Sequence, residues 1–169
     1  MNLHLRKPAF HDYSEIATWV PDALACKWWA GDAMPFPFLP AELPTLLDIG
    51  YRTSFCLMMG EKLVGFAQYG LRTLSAVHLS RVIVSSEMRG SGLGSLLCWM
   101  ILKEAFAETS ASVCTLRVYR KNERAIAIYR KLGFTPLEMG SNHDVFFMQL
   151  DRNDLTQLAP RGPKDIIGS

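Results

Sequence analysis

Residues Val82 to Met100 read Val-Ile-Val-Ser-Ser-Glu-Met-Arg-Gly-Ser-Gly-Leu-Gly-Ser-Leu-Leu-Cys-Trp-Met, and no other part of the chain constrains its fold as tightly. A β-branched triplet, Val82-Ile83-Val84, gives way to a short polar turn. Arg89-Gly90-Ser91-Gly92-Leu93-Gly94 follows, and then a long apolar run. The pattern is strand, glycine-rich loop, helix. Glycines lack Cβ, so a ligand can approach the main chain closely. The first turn of a helix leaves N–H groups without partners, and the helix dipole adds partial positive charge there. Together these features make an anion cradle suited to a pyrophosphate.

Two familiar phosphate-binding patterns fit poorly. The dinucleotide fingerprint opens near the start of a βαβ domain and places an acidic residue roughly 20 positions on. Here roughly 80 residues precede the loop, and no such acid ends a second strand. The phosphate loop of nucleotide hydrolases needs Gly-Lys-Ser/Thr, which is missing.

A second stretch, Asn122-Glu123-Arg124-Ala125-Ile126-Ala127-Ile128-Tyr129-Arg130-Lys131-Leu132-Gly133-Phe134, stands downstream. Arg89-x-x-Gly92-x-Gly94, followed by Asn122, Tyr129 and Leu132-Gly133-Phe134, resembles the GNAT superfamily of acyl-CoA-dependent N-acetyltransferases. The resemblance runs from about Leu63 to Leu150 and has both motifs in the right order and separation. It implies an α/β (mixed α+β) fold, with a central twisted, mostly antiparallel sheet flanked by helices, and acetyl-CoA as cofactor. One N-acetyltransferase domain, residues 1–158, is expected, with a flexible tail over 159–169.

The resemblance also implies roles. Main-chain groups of Arg89, Gly90, Ser91, Gly92, Leu93, Gly94 and Ser95 would hold the pyrophosphate, with Arg89 adding charge. Ile83, Val84, Ser85 and Ser86 would pair with the pantetheine arm, and the Val84 N–H would polarise the thioester carbonyl. Tyr129, seven residues after Asn122 and three before Leu132, would give a proton to the leaving thiolate. Asn122 would cap its helix and bond the pantetheine or phosphate region. A period of two puts His78, Ser80, Val82 and Val84 on one strand face. His78 then leads toward the thioester, where serotonin-type members carry a histidine and histone acetyltransferases a glutamate. A histidine near its ordinary pKa of about 6.5 can take a proton at neutral pH, directly or through water. The plainer reading of His78 is a structural residue at a strand start.

One departure concerns Arg117. Protein N-terminal acetyltransferases often carry a glutamate there, and arginine cannot act as a base at neutral pH. Arg117 pairs either with an acidic group on the acceptor or, more plainly, with a protein carboxylate. A covalent route is disfavoured, because Cys98 and Cys114 lie in apolar contexts without an adjacent histidine. Direct attack in a ternary complex is expected.

Elsewhere the chain reads as strands over Leu3–Arg6, Thr53–Met59, Leu63–Leu71, Ala76–Val84 and Val113–Tyr119, with a closing hairpin over Phe134–Glu138 and His143–Leu150. Asp12-Tyr13-Ser14-Glu15 has the form of a capping box, and Asp22 can cap a second helix. The proline-broken segment Gly31 to Pro40 is too apolar for a solvated linker. It covers the core or walls an acceptor pocket, with Trp28, Trp29, Phe36 and Phe38 as contacts. The helix through Leu96 to Leu102 is apolar nearly all round and should be buried.

Hydrophobic residues make up 49% and charged residues 20%, and the net charge of +2 includes no basic run for a phosphate backbone. No apolar stretch reaches membrane-span length, and the first residues lack a signal-peptide pattern. Cys26, Cys56, Cys98 and Cys114 are scattered, which reads as reduced core thiols rather than a disulfide framework or metal site. The expectation is a cytoplasmic enzyme acetylating a primary amine on a small molecule. A homodimer is common in the superfamily and is carried along on that analogy. Protein lysine or N-terminal acetylation is the alternative acceptor class. A non-catalytic acyl-CoA-binding module is the alternative to an enzyme.

Overall fold

A computed structural model describes residues 2–163. The strands are β1 (Leu3–Arg6), β2 (Thr53–Met59), β3 (Lys62–Thr73), β4 (Ala76–Val84), β5 (Val113–Tyr119), β6 (Thr135–Leu137) and β7 (Val145–Asp151). The helices are α1 (Asp12–Thr18), α2 (Ala23–Ala30), α3 (Leu43–Leu46), α4 (Leu93–Glu108) and α5 (Glu123–Leu132). One seven-stranded sheet has the order β1-β2-β3-β4-β5-β7-β6. Every neighbouring pair is antiparallel except β4 and β5. Among the described residues no helix is long and apolar enough to cross a membrane.

Alternation along the strands separates two cores. On one face Leu57, Val64, Ala67, Tyr69, Val77 and Leu79 pack against α4 and, at its edge, α5. On the other, Cys56, Met58 and Phe66 meet Tyr13, Ile16, Trp19, Trp29, Leu43 and Leu47 from α1, α2 and α3. Helix α4 buries Leu93, Leu97, Ile101 and Leu102 completely, as its all-round apolar character requires.

The first helix departs from the expected capping box. Its N-cap is His11, with no side-chain cap. Asp12 lies in the first turn, and its carboxylate turns back to the Ala9 N–H at 2.6 Å and to the Arg6 guanidinium at 2.7 and 2.9 Å. A charged partner on β1 outcompetes the backbone as the place for that carboxylate. Asp22 does cap α2, accepting from Ala25 N–H at 2.8 Å. Past the proline-rich segment only Leu43–Leu46 is α-helical, preceded by a 3-10 turn over Pro40–Glu42.

A buried polar knot joins α3 to the sheet. The Gln68 side chain is fully buried on β3 and donates to the Leu47 carbonyl at 2.8 Å and to Ser54 Oγ at 2.9 Å. Its Oε1 accepts from Arg81 of β4 at 3.0 Å. Arg81 also donates to the Leu47 carbonyl at 3.2 Å. Each member has a partner, as buried polar groups require. Gln68→Leu removes an acceptor from a mostly buried guanidinium and should cost roughly 2–3 kcal/mol of stability. Urea unfolding of both proteins, with an unchanged denaturant slope, is the check.

Candidate active site

The parallel ladder between β4 and β5 is short. Ala76, Val77 and His78 pair with Val113, Cys114 and Thr115, and there it ends. The cause lies in β4. Phe66 opposes Ile83 and Gln68 opposes Ser80, so β4 carries one extra residue over that interval. Arg81 takes the left-handed conformation, φ 51°, at this bulge. A bulge bends its strand and breaks the local ladder, and β4 runs on without β5. Beyond it, the Ser85 N–H donates to the Val64 carbonyl at 2.9 Å. Successive N–H groups of a strand point to opposite sides. The Val84 N–H therefore points toward β5, across a gap with no ladder partner.

The bulge also corrects the expected face. His78 and Ser80 lie opposite Gly70 and Gln68, and Ile83 lies opposite Phe66, all on the α1–α3 side. Val82 and Val84 pack on the α4 side. His78 and Val84 thus do not share a face, because strict alternation fails across an inserted residue.

At the mouth of the gap, Gly92 is the N-cap of α4 with φ 89°, a conformation that disfavours any side chain. The N–H groups of Gly92, Leu93, Gly94 and Ser95 have no backbone acceptor among the described residues. Ser91 turns its hydroxyl onto the Met88 carbonyl, and Ser86 opens a 3-10 turn that ends at Met88. A Cβ on Gly94 would sit 3.1 Å from Ile128 Cδ1 and 3.9 Å from Val84 Cγ2, so α4, α5 and the end of β4 converge there. Gly90 faces open space. The Arg89 guanidinium donates to the Trp19 carbonyl at 2.7 Å and anchors the loop to the end of α1. Ser85 Oγ is buried without a hydrogen-bond partner. Open amides at the start of a long helix, beside an unpaired strand edge and an orphan hydroxyl, fit a diphosphate and its pantetheine arm.

Tyr129 stands on α5 with its ring edge-on to Phe134 at 5.8 Å. Burial, and then the nearby Cys98 and Cys114, hold its hydroxyl pKa well above the phenol range. It therefore keeps its proton at any working pH. Asn122 caps α5 through Ala125 N–H at 3.4 Å, a long bond. His78 Nδ1 lies 2.8 Å from Thr115 Oγ1, which itself donates to the Val77 carbonyl at 3.4 Å. Either atom of the Nδ1–Oγ1 pair can be the donor; where Nδ1 carries the hydrogen, Nε2 keeps the lone pair. Burial first, then Arg52, Arg72, Arg117 and Arg81, push the His78 pKa down to about 4.

Helix α2 packs across β4, and Lys27 near its end lies 5.4 Å over the Tyr119 ring at the end of β5. The helix therefore roofs the gap on the His78 side. Trp29 is buried in the core, yet its indole N–H is unpaired. Trp28 and Phe38 are half-buried, and Phe36 is exposed and edge-on to Phe38 at 6.2 Å. Arg117 forms no ion pair with a carboxylate among the described residues. Its contact is the Gly140 carbonyl at 3.5 Å, so the carboxylate partner expected for it is not found. A cleft of ≈ 500 Å³ beside His78 is lined by Asp48, Tyr51, Arg52, Gly70, Leu71 and Arg72. None of these was singled out from sequence. Thr115, two residues before Arg117 on one face of β5, was the available signal for the histidine's partner.

A mixed sheet parted between two parallel strands, with a glycine-led helix at the opening, is the architecture of the acyl-CoA N-acyltransferases. A sequence profile of the acetyltransferase (GNAT) family matches residues 23–134, and the chain belongs to that family. It is an acetyl-CoA-dependent N-acetyltransferase. Among solved structures, spermidine N-acetyltransferase from Vibrio cholerae, in complex with CoA and spermine, is 18% identical with a TM-score of 0.73. That match covers 90% of this chain and 96% of the other. Aminoglycoside acetyltransferase AAC(6')-Ib with coenzyme A and kanamycin is 20% identical, covers 90% and 96%, and has a TM-score of 0.72. Campylobacter jejuni N-acetyltransferase PseH is 15% identical, covers 89% and 98%, and has a TM-score of 0.65.

Two measurements follow from this geometry. Gly92→Ala forces an L side chain to φ 89° and toward the Arg161 carbonyl, 2.9 Å from the new Cβ. Calorimetric titration with CoA should show affinity reduced about tenfold or more, while circular dichroism stays native. For His78, the unfolded chain takes up its proton below about pH 6.5, whereas the folded chain waits until about 4. The facing groups are Arg52, Arg72, Arg81 and Arg117, opposed by Asp48. Stability from this histidine is present above pH 6.5 and lost as pH falls toward 4, worth roughly 3 kcal/mol in all. Asp12, held below the usual carboxylate range by Arg6, acts only at lower pH. Urea midpoints between pH 7.5 and 4 should fall less steeply for His78→Gln than for the parent.

Proposed function

We propose that the protein acetylates a primary amine of a small molecule, by direct attack of the amine on acetyl-CoA in a ternary complex. The observation that carries this reading is the gap where the β4–β5 ladder stops after His78 and Thr115, with amide groups facing it. Acetyl-CoA supplies the activated acyl group when bound. The amides from Gly92 to Ser95 hold its diphosphate, and the free edge of β4 from Ile83 to Ser86 lies along the pantetheine arm. The Val84 N–H is fixed where oxyanion charge develops, a preorganised donor worth a few kcal/mol. Tyr129 delivers its proton to the departing sulfur, and Asn122 holds the start of α5 that carries it. Trp28 on α2, with Phe36 and Phe38 on the segment after it, form an acceptor wall next to the His78 cleft, which none of them lines; Trp29, expected with them, is packed into the α1–α3 core.

His78 serves as the proton acceptor, through water, from the face opposite Val84. Its neutral state at pH 7 supports this role. The thiols give no competing covalent route. Burial pushes Cys98 and Cys114 up to about 12, so neither is a thiolate at neutral pH. The ≈ 500 Å³ cleft beside His78 has room for a small molecule. Four buried free cysteines support a reducing, cytoplasmic setting. The homodimer remains part of the reading by family analogy.

Steady-state release of CoA across a panel of small amines and peptides tests this function. Turnover confined to peptides would exclude the small-molecule acceptor. Tyr129→Phe should lower kcat about a hundredfold, with little change in the KM for acetyl-CoA.

A further inference from the structure

The charge around His78 is lopsided. Arg52 and Arg72 line the cleft with it. Arg81 lies on the same strand face, with its guanidinium bonded to Gln68 and Leu47. Arg117 shares a β5 face with Thr115, the partner of His78. One carboxylate, Asp48, answers this group. It lies 3.8 Å from both Arg52 and Arg81, and its side chain is half exposed. Crowding shows in Arg81 itself, whose pKa is lowered by burial and then by Arg52.

Arg72 and Arg117 are different from the other two. Both are exposed, and neither has a carboxylate within ion-pair distance among the described residues. Arg72 lies over the ring of Phe147 at 4.5 Å. Phe147 is the register partner of Arg117. The contact holds the Arg72 guanidinium against that ring, and Arg117 stands at the register position opposite it, with its guanidinium 3.5 Å from the Gly140 carbonyl. Two guanidiniums gathered at one ring, of which Arg72 lines the polar cleft, make a receptor for an oxyanion, which a guanidinium fork can take in a bidentate manner. Four guanidiniums against the one half-exposed Asp48 carboxylate disfavour an ammonium-rich acceptor there.

We infer that the acceptor amine also bears an oxyanion, a carboxylate or phosphate, which Arg72 and Arg117 read at the rim of the His78 cleft. This rests on the acetyl transfer proposed above. The transfer itself stays an ordinary acyl exchange: the amine nitrogen forms the amide bond, the thioester bond breaks, and the amine proton leaves toward His78. The oxyanion positions the amine and takes no part in bond making. It also offsets the four guanidiniums, so the occupied site favours a protonated imidazole more than the empty one.

The test is acetyl transfer on matched amines. Aminocarboxylates and aminophosphates of graded chain length are compared with their methyl esters or amides, and with diamines of the same length. The anionic member of each set should win in kcat/KM by about tenfold or more, and the carboxylate and phosphate arms identify which oxyanion is preferred. In Arg72→Gln/Arg117→Gln, that ratio should fall about tenfold through KM, with the KM for acetyl-CoA unchanged. Arg72→Lys/Arg117→Lys should restore part of it, because charge returns without the planar fork. Diamines preferred over aminocarboxylates, or a ratio indifferent to the double glutamine change, overturns this inference and leaves the acetyltransferase reading standing. No transfer to any member of the panel overturns both.

Discussion

The site depends on one left-handed residue. Arg81 adds a residue to β4, and the strand bends away from β5. A non-glycine residue at positive φ is strained, and the surroundings must hold it there. Gln68 and the Leu47 carbonyl do so by taking the guanidinium inside the protein. Were β4 straight, the Val84 N–H would pair across to β5, and no slot for a pantetheine arm would exist. The knot that secures the bulge also ties α3 to the sheet, so acceptor-side structure and cofactor-side opening rest on the same hydrogen bonds.

That arrangement sets the electrostatics of the acceptor side. Arg81 brings a buried positive charge, and Arg52 and Asp48 gather around it. His78, mostly buried among these groups, is kept neutral. A neutral imidazole accepts a proton, but one with a pKa near 4 does so weakly. Relay through water, and a change of charge in the cleft on ligand entry, are the two ways such a histidine becomes useful. The proton donor proposed above has the opposite setting. Tyr129 is half-buried against the core that keeps Cys98 and Cys114 in their protonated form. The base and acid proposed above thus stand on opposite faces of the sheet, with their titrations driven apart by different causes.

Most of the architecture was legible because local rules and tertiary packing agree. The strands Leu3–Arg6, Thr53–Met59, Ala76–Val84 and Val113–Tyr119 fall at the expected bounds. Asp22 and Asn122 cap the helices assigned to them. The glycine loop was legible for the same reason, since positive φ and bare amides are local demands. What was not legible depends on distant partners. Asp12 looked like a capping residue because Arg6 on β1 cannot be placed against it from sequence. The faces of β4 were misassigned because nothing in His78 to Val84 marks an inserted residue. The arginines around His78 come from the residue before β2 and from β3, β4 and β5, and only the sheet order makes neighbours of them. The expected flexible tail over 159–169 lies partly outside the described residues, from 164 on. Before that point the Arg161 carbonyl lies near Gly92, and Gly162 lies near Leu96 and Leu3.

With the acceptor inferred above, the two ligands of this slot share a problem, because a diphosphate and an anionic acceptor repel each other. The protein separates them by mechanism as well as by distance. At the mouth, charge is met by main-chain amides and a helix dipole, which no proton can neutralise. At the other end it is met by guanidiniums, which also stay charged at every working pH. Only His78 between them changes state. Its protonation follows the occupancy of the arginine end, since an anion there cancels the field that keeps it neutral. In the base role proposed for it, His78 is then weakest in the empty enzyme and strongest with the acceptor in place. Proton uptake is then coupled to acceptor binding without any moving part.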